Sequence, residues 1–177
     1  MKKSKLIIVL LLTVLSIFII NFFIPFPINM DKKVNGIEIS LEDKSSVNPV
    51  TMNIKGVYYY SLLGNNSFRG YITFDGWNLS QGNTVTQLEF SDGHAVLYYK
   101  NLSDFDLLGE LYTGVFPKNF VILVNSMQGN GSYGWNSETG HCIIGPASNR
   151  DEAAAIYRTV AEKTKLNYPE LIELKNK

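Results

Sequence analysis

The sequence predicts an α+β fold: an N-terminal single transmembrane helix, then a mainly antiparallel β-sheet of six to eight strands with one C-terminal amphipathic helix packed on it. Three observations lead there. Leu6–Ile24 is an almost unbroken apolar run. Between Val50 and Ile144 apolar residues alternate with polar ones in short stretches, separated by Gly, Asn, Asp and Ser. After Asn149 the apolar period changes from that of a strand to that of a helix.

The first of these elements reads as a membrane anchor, residues 1–28. Leu6–Ile24 would make about 28 Å of helix, close to the about 30 Å of a bilayer's hydrocarbon core. Pro25 and Pro27 would end it. No Gly precedes Gly36 and no Ala precedes Ala95, so Asn21–Lys33 offers no small-x-small site for a signal peptidase. A retained anchor is therefore expected, with the membrane as partner. The short basic start (Lys2, Lys3, Lys5) places the N-terminus in the cytoplasm and the rest outside, although Lys32 and Lys33 nearly balance the count. Asn21 reads as a tolerated polar residue near the interface rather than a contact to a partner helix. The expected location is the cell membrane, single-pass, with the C-terminal domain outside.

Residues 29–49 are polar and lysine-rich and read as a tether, with Ile37–Leu41 alternating like a first short strand. Residues 50–177 read as the extracytoplasmic domain. Val50–Leu63 is expected as a strand bent or bulged at Gly56, followed by Phe68–Phe74 and Thr84–Phe90. Asp92-Gly93 then separates two alternating runs, the signature of a tight hairpin whose central residues both need positive φ. Leu107–Phe116 and Phe120–Asn125 form a further pair around Pro117-Lys118-Asn119, and His141–Ile144 is a last strand. Asn149 with Glu152 fits a capping box. Ala153, Ile156, Tyr157, Val160, Ala161 and Thr164 make one apolar stripe, with Arg158, Glu162 and Lys163 opposite.

Composition narrows the function classes. Lys2, Lys3 and Lys5 precede the first acid, Asp31, so the remainder carries 13 basic against 16 acidic residues. No basic cluster follows that start, which argues against nucleic acid. The single cysteine, Cys142, excludes an internal disulfide. Lys, Asn and Ile usage fits an AT-rich bacterial genome, so the acceptor-like sequons at Asn65, Asn78, Asn101 and Asn130 carry no weight.

Motifs that would carry chemistry are weak. Gly129–Gly134 matches GxGxxG, but Trp135–Gly140 is a poor helix start, and a dinucleotide site needs a helix there. His141 and Cys142 are neighbours on a strand, so their side chains point to opposite faces. Only His94 could serve Cys142, and only if its strand lay alongside. The acids Glu89, Asp92, Asp104, Asp106, Glu110 and Glu138 are scattered singly. No cofactor or metal is expected.

The aromatic residues are the most suggestive feature. Tyr58, Tyr59, Tyr60, Tyr98 and Tyr99 alternate across strands, and Tyr71, Trp77, Tyr133 and Trp135 occupy strands or loops. Ordinary β-propensity accounts for many of them. Those on an uncovered face would form a stacking surface, with Trp77, Trp135, Tyr71 and Tyr133 the leading candidates. The expected function is a membrane-tethered, non-enzymatic binding or accessory module for a protein or glycan at the cell surface. The alternatives are a surface hydrolase with dispersed acids or a Cys142–His94 pair, and a structural subunit of a membrane complex.

Overall fold

The computed structural model describes residues 2–43, 45–62, 64–75, 85–100, 105–127, 131–168 and 171. In chain order the elements are α1 (Lys2–Phe23), β1 (Phe26–Ser40), β2 (Val47–Tyr60), β3 (Asn66–Asp75), β4 (Val85–Phe90) and β5 (His94–Lys100). They continue with β6 (Phe105–Val115), β7 (Asn119–Val124), β8 (Ser126–Met127), β9 (Tyr133–Gly134), β10 (His141–Gly145) and α2 (Arg150–Ala161).

Eight strands form one antiparallel sheet in the order β4-β3-β2-β1-β10-β7-β6-β5, while β8 and β9 make a separate hairpin. The two strands at the ends of that order, β4 and β5, are joined by the two-residue turn Asp92-Gly93. Ser91 and His94 exchange backbone hydrogen bonds of 2.9 Å each way across it. Asp92 and Gly93 have φ of 50° and 75°, as the hairpin signature requires. The sheet therefore curls until its edges meet at this corner, an up-and-down barrel that leaves little edge exposed. One face of all eight strands supplies a shared interior that includes Met30, Met52, Ile54, Phe68, Ile72, Leu88, Leu97, Leu111, Phe120 and Ile143. Phe68 and Phe120 are fully buried there, each worth roughly 1.5–3 kcal/mol by area.

The C-terminal helix packs on the outside of the barrel, over β7, β10 and β6. Asn149 is its N-cap, accepting from the Glu152 N–H at 2.9 Å. Glu152 reaches back to the N–H and hydroxyl of Ser148, at 2.8 and 2.9 Å, one residue earlier than a capping box would place it. Ala153, Ala154, Tyr157 and Val160 are buried against the outward residues Ile37, Ile39, Val121, Leu123, Cys142 and Ile144. The Tyr157 hydroxyl donates to the Tyr168 carbonyl and accepts from its N–H, both at 2.8 Å, which ties the chain after α2 to the helix. Arg150, 5% exposed, directs its guanidinium to the carbonyls of Asp43 (3.2 Å) and Ser46 (3.0 Å) and so holds the β1–β2 loop.

Three expectations change. Among the described residues no helix is long and apolar enough to cross a membrane. This overturns the single-pass placement and the orientation built on it. Second, residues 29–49 are not a tether. They hold most of β1 and the start of β2, which pair from Phe26↔Tyr60 to Ile39↔Val47. The lysine-rich composition misled because the outer face of this hairpin is uncovered. Third, the β2–β3 ladder runs unbroken through Gly56↔Gly70, and the register shift lies between Arg69 and Ile72 on the β3–β4 side. Gly56 serves close approach instead: a Cβ there would lie 2.3 Å from the Arg69 carbonyl oxygen and 2.7 Å from Gly70 Cα.

Candidate functional site

Curling the sheet gives the strands an inner and an outer face, and the outer face is covered only where α2 lies. On the first half of β1 and the paired stretches of β2 and β3 the outer residues Asp31, Lys33, Lys55 and Tyr71 meet solvent. Register stacks them into rungs. Asp31, Lys55 and Tyr71 are cross-strand partners in one rung, and Lys33, Asn53 and Thr73 in the next. These six, with Lys32 and Ile54, line an open groove of about 300 Å³.

Tyr71 is 62% exposed, the most exposed aromatic residue among those described. Its neighbours are cationic. Lys32, Lys33 and Lys55 form no salt bridge among the described residues. The nearby Asp75 carboxylate is engaged by the Asn53 side-chain amide at 2.7 Å. That contact turns the Asn53 carbonyl oxygen into a buried acceptor with no partner, a condition that buried polar groups rarely keep. One rung away, the Arg69 guanidinium lies 5.7 Å from the Tyr59 ring centroid, within cation–π range. On its outer face the groove thus combines one free aromatic face, the Lys33 and Lys55 ammonium groups, the Asp31 carboxylate and the Thr73 hydroxyl.

The other expected stacking residues are placed differently. Trp135 is half-buried. Its indole N–H donates to the His141 carbonyl at 3.1 Å, and its ring meets Tyr168 edge-on at 4.5 Å. It closes the layer beneath α2 and stands apart from Tyr71. Tyr133 contributes its backbone to β9 opposite Met127, and its side chain lies outside the described residues. Trp77 also lies outside them. Residues Ser126–Met127 and Tyr133–Gly134 pair on either side of the glycine-rich segment, and Trp135–Gly140 after it forms a turn and no helix.

Cys142 lies under α2, fully buried, with its sulfur 3.9 Å from the Ile39 carbonyl oxygen. Burial pushes its thiol up to about 12. His94 is on β5, three strands away in the sheet order, so the two do not meet. Each histidine instead faces a glutamate. His141 Nδ1 is 3.1 Å from Glu38 Oε1 at the end of β10. His94 Nε2 is 3.4 Å from Glu110 Oε2, whose carboxylate also accepts from the Tyr112 hydroxyl at 2.5 Å. Burial, and then the Glu110 carboxylate, raise the Tyr112 phenol well above its ordinary value. Neither pair adjoins a nucleophile. Among the described residues no three of His, Cys, Asp and Glu converge as metal ligands would.

Nothing matches this chain in comparisons with protein-family models, with curated proteins or with solved structures.

Proposed function

We propose that this protein is a non-enzymatic binding module whose β1–β3 groove takes an acidic glycan, a sugar chain bearing carboxylate or phosphate groups. The observation that carries this reading is the exposed Tyr71 ring set beside Lys55, with Lys33 on the adjoining rung. An aromatic face suits the apolar face of a sugar ring. Unpaired ammonium groups suit its anionic substituents, and the Thr73 hydroxyl suits its hydroxyls. The groove is open along the strands, as a chain ligand requires.

The test is affinity electrophoresis through gels containing polygalacturonate, neutral amylose or polyglutamate. Retardation by polygalacturonate alone is expected. Retardation by amylose would remove the role of the lysines. Equal retardation by polyglutamate would reduce the groove to a site for anionic chains in general.

A further inference from the structure

A second polar cavity lies at one end of the barrel, where three connections converge: the β2–β3 loop, the Asp92-Gly93 turn and the β6–β7 turn. It measures about 230 Å³. At about 30 Å³ per water molecule, that is room for about seven waters or a compact molecule of similar volume. Its floor is aromatic. Phe116 lies 5.8 Å from Tyr58 and 5.1 Å from Phe90 between ring centroids, with Phe68 beneath at 5.6 Å. Its walls include Asn65, Asn66, Asp92 and Thr113.

The polar groups of this cavity differ in how far they are already engaged. Thr113 donates to the Asn119 carbonyl at 2.7 Å, and the Asn66 side-chain oxygen accepts from the Ser61 N–H at 2.9 Å. Asp92 is neutralised by Lys165 at 2.8 Å, so the cavity offers no uncompensated charge. Tyr58 is the exception. The residue is only 8% exposed and lines the cavity, and its hydroxyl has no hydrogen-bond partner among the described residues. The Tyr58 oxygen is not among the buried atoms left without a partner, so its ring is covered while the hydroxyl remains accessible from the cavity. Gly93 forms part of the wall because a Cβ there would lie 2.4 Å from the Thr113 carbonyl oxygen. The turn therefore presents bare backbone to the cavity.

We infer that this cavity is a binding site for a small neutral polyol of monosaccharide size, held over the aromatic floor and hydrogen-bonded by the Tyr58 hydroxyl and the Asn65 amide. The site is separate from the Tyr71 groove and does not rest on its reading. An aromatic floor with uncharged donors and acceptors on the walls is the chemistry that recognises a ring carrying hydroxyls on its rim and C–H groups on its face.

The experiment is saturation-transfer NMR on the full chain with glucose, galactose, N-acetylglucosamine and myo-inositol, with glucuronate as the charged comparison. Transfer to at least one neutral compound is expected. Tyr58→Phe deletes only the hydroxyl and should weaken binding about tenfold, the effect of one lost hydrogen bond. Asn65→Ala, on an exposed loop, should weaken it as well, and Tyr71→Ala should leave it unchanged. Thermal melts of each variant confirm that the barrel stands. Absence of transfer from every neutral compound, leaving a cavity for water only, would overturn the inference. So would binding indifferent to Tyr58→Phe, or binding of glucuronate alone.

Discussion

The barrel has two kinds of outer wall. On β10, β7 and β6 the outward residues are apolar (Cys142, Ile144, Val121, Leu123, Tyr112) and α2 covers them. On β1, β2 and β3 the outward residues are Asp31, Lys33, Asn53, Lys55, Tyr71 and Thr73, and nothing among the described residues covers them. The inner faces of both walls are equally apolar. What distinguishes them is the outward set alone: the covered wall contributes stability, and the bare wall is free to be chosen for binding. One tyrosine in each makes the contrast concrete. Tyr157 is 1% exposed with its hydroxyl doubly bonded, and Tyr71 is 62% exposed.

The sharpest way to break this comparison is to truncate both tyrosines. Tyr157→Ala should cost about 3–5 kcal/mol, as large aromatic deletions in cores do. Tyr71→Ala should stay within about 0.5 kcal/mol, as surface changes do. Urea denaturation of the two variants checks this, and similar losses would erase the distinction between the walls.

The covered wall also makes a prediction about pH. The Cys142 thiol is pushed up to about 12 by burial, whereas in the unfolded chain it titrates near the ordinary thiol value, about 8.5. Below that value both states hold the proton and the thiol has no effect on the pH dependence. As pH rises from there towards 12 the unfolded state releases its proton first, so stability falls. Cys142→Ala should flatten this alkaline loss in melts recorded across that range. In the native chain the thiol should also resist iodoacetamide at a rate set by unfolding.

Smaller effects belong to the cap that seats α2 on its wall. Asn149→Ala removes the acceptor for the Glu152 N–H and should cost about 1 kcal/mol in urea denaturation. Glu152 is held below its ordinary carboxylate value, first by the Ser148 N–H and then by the Ser148 hydroxyl. A depressed carboxylate stabilises above its unfolded pKa and loses that contribution as pH falls through its folded one. The gap in melting temperature between the native chain and Glu152→Gln should therefore close as pH drops below about 4.

How much of this was legible in the sequence depends on the distance between the residues involved. The Asp92-Gly93 hairpin was readable because its requirement is local, two successive residues at positive φ. The Asn149 cap and the buried stripe of α2 were readable for the same reason. Closure of the sheet was not, because it depends on where β4 and β5 end up after seven successive strand pairings. The groove was hidden too. Residues 31–33, 53–55 and 71–73 are far apart in the chain, and only the register Asp31↔Lys55↔Tyr71 assembles them. In the sequence Lys32 and Lys33 look like the flanking charge of an anchor, whereas they belong to β1. In the sequence Trp135 looks like a free ring, because the ring that covers it, Tyr168, comes from the far end of the chain.

The central claim is that the uncovered wall binds an acidic glycan through Tyr71 and its lysines. Isothermal titration calorimetry with a galacturonate oligomer tests it most directly, on the native chain, Tyr71→Ala and Lys55→Glu, at low and at high salt. The account predicts binding that weakens as salt screens the lysines and is lost in both variants while their melting temperatures hold. Unchanged binding in Tyr71→Ala and Lys55→Glu, with the fold intact, would contradict it.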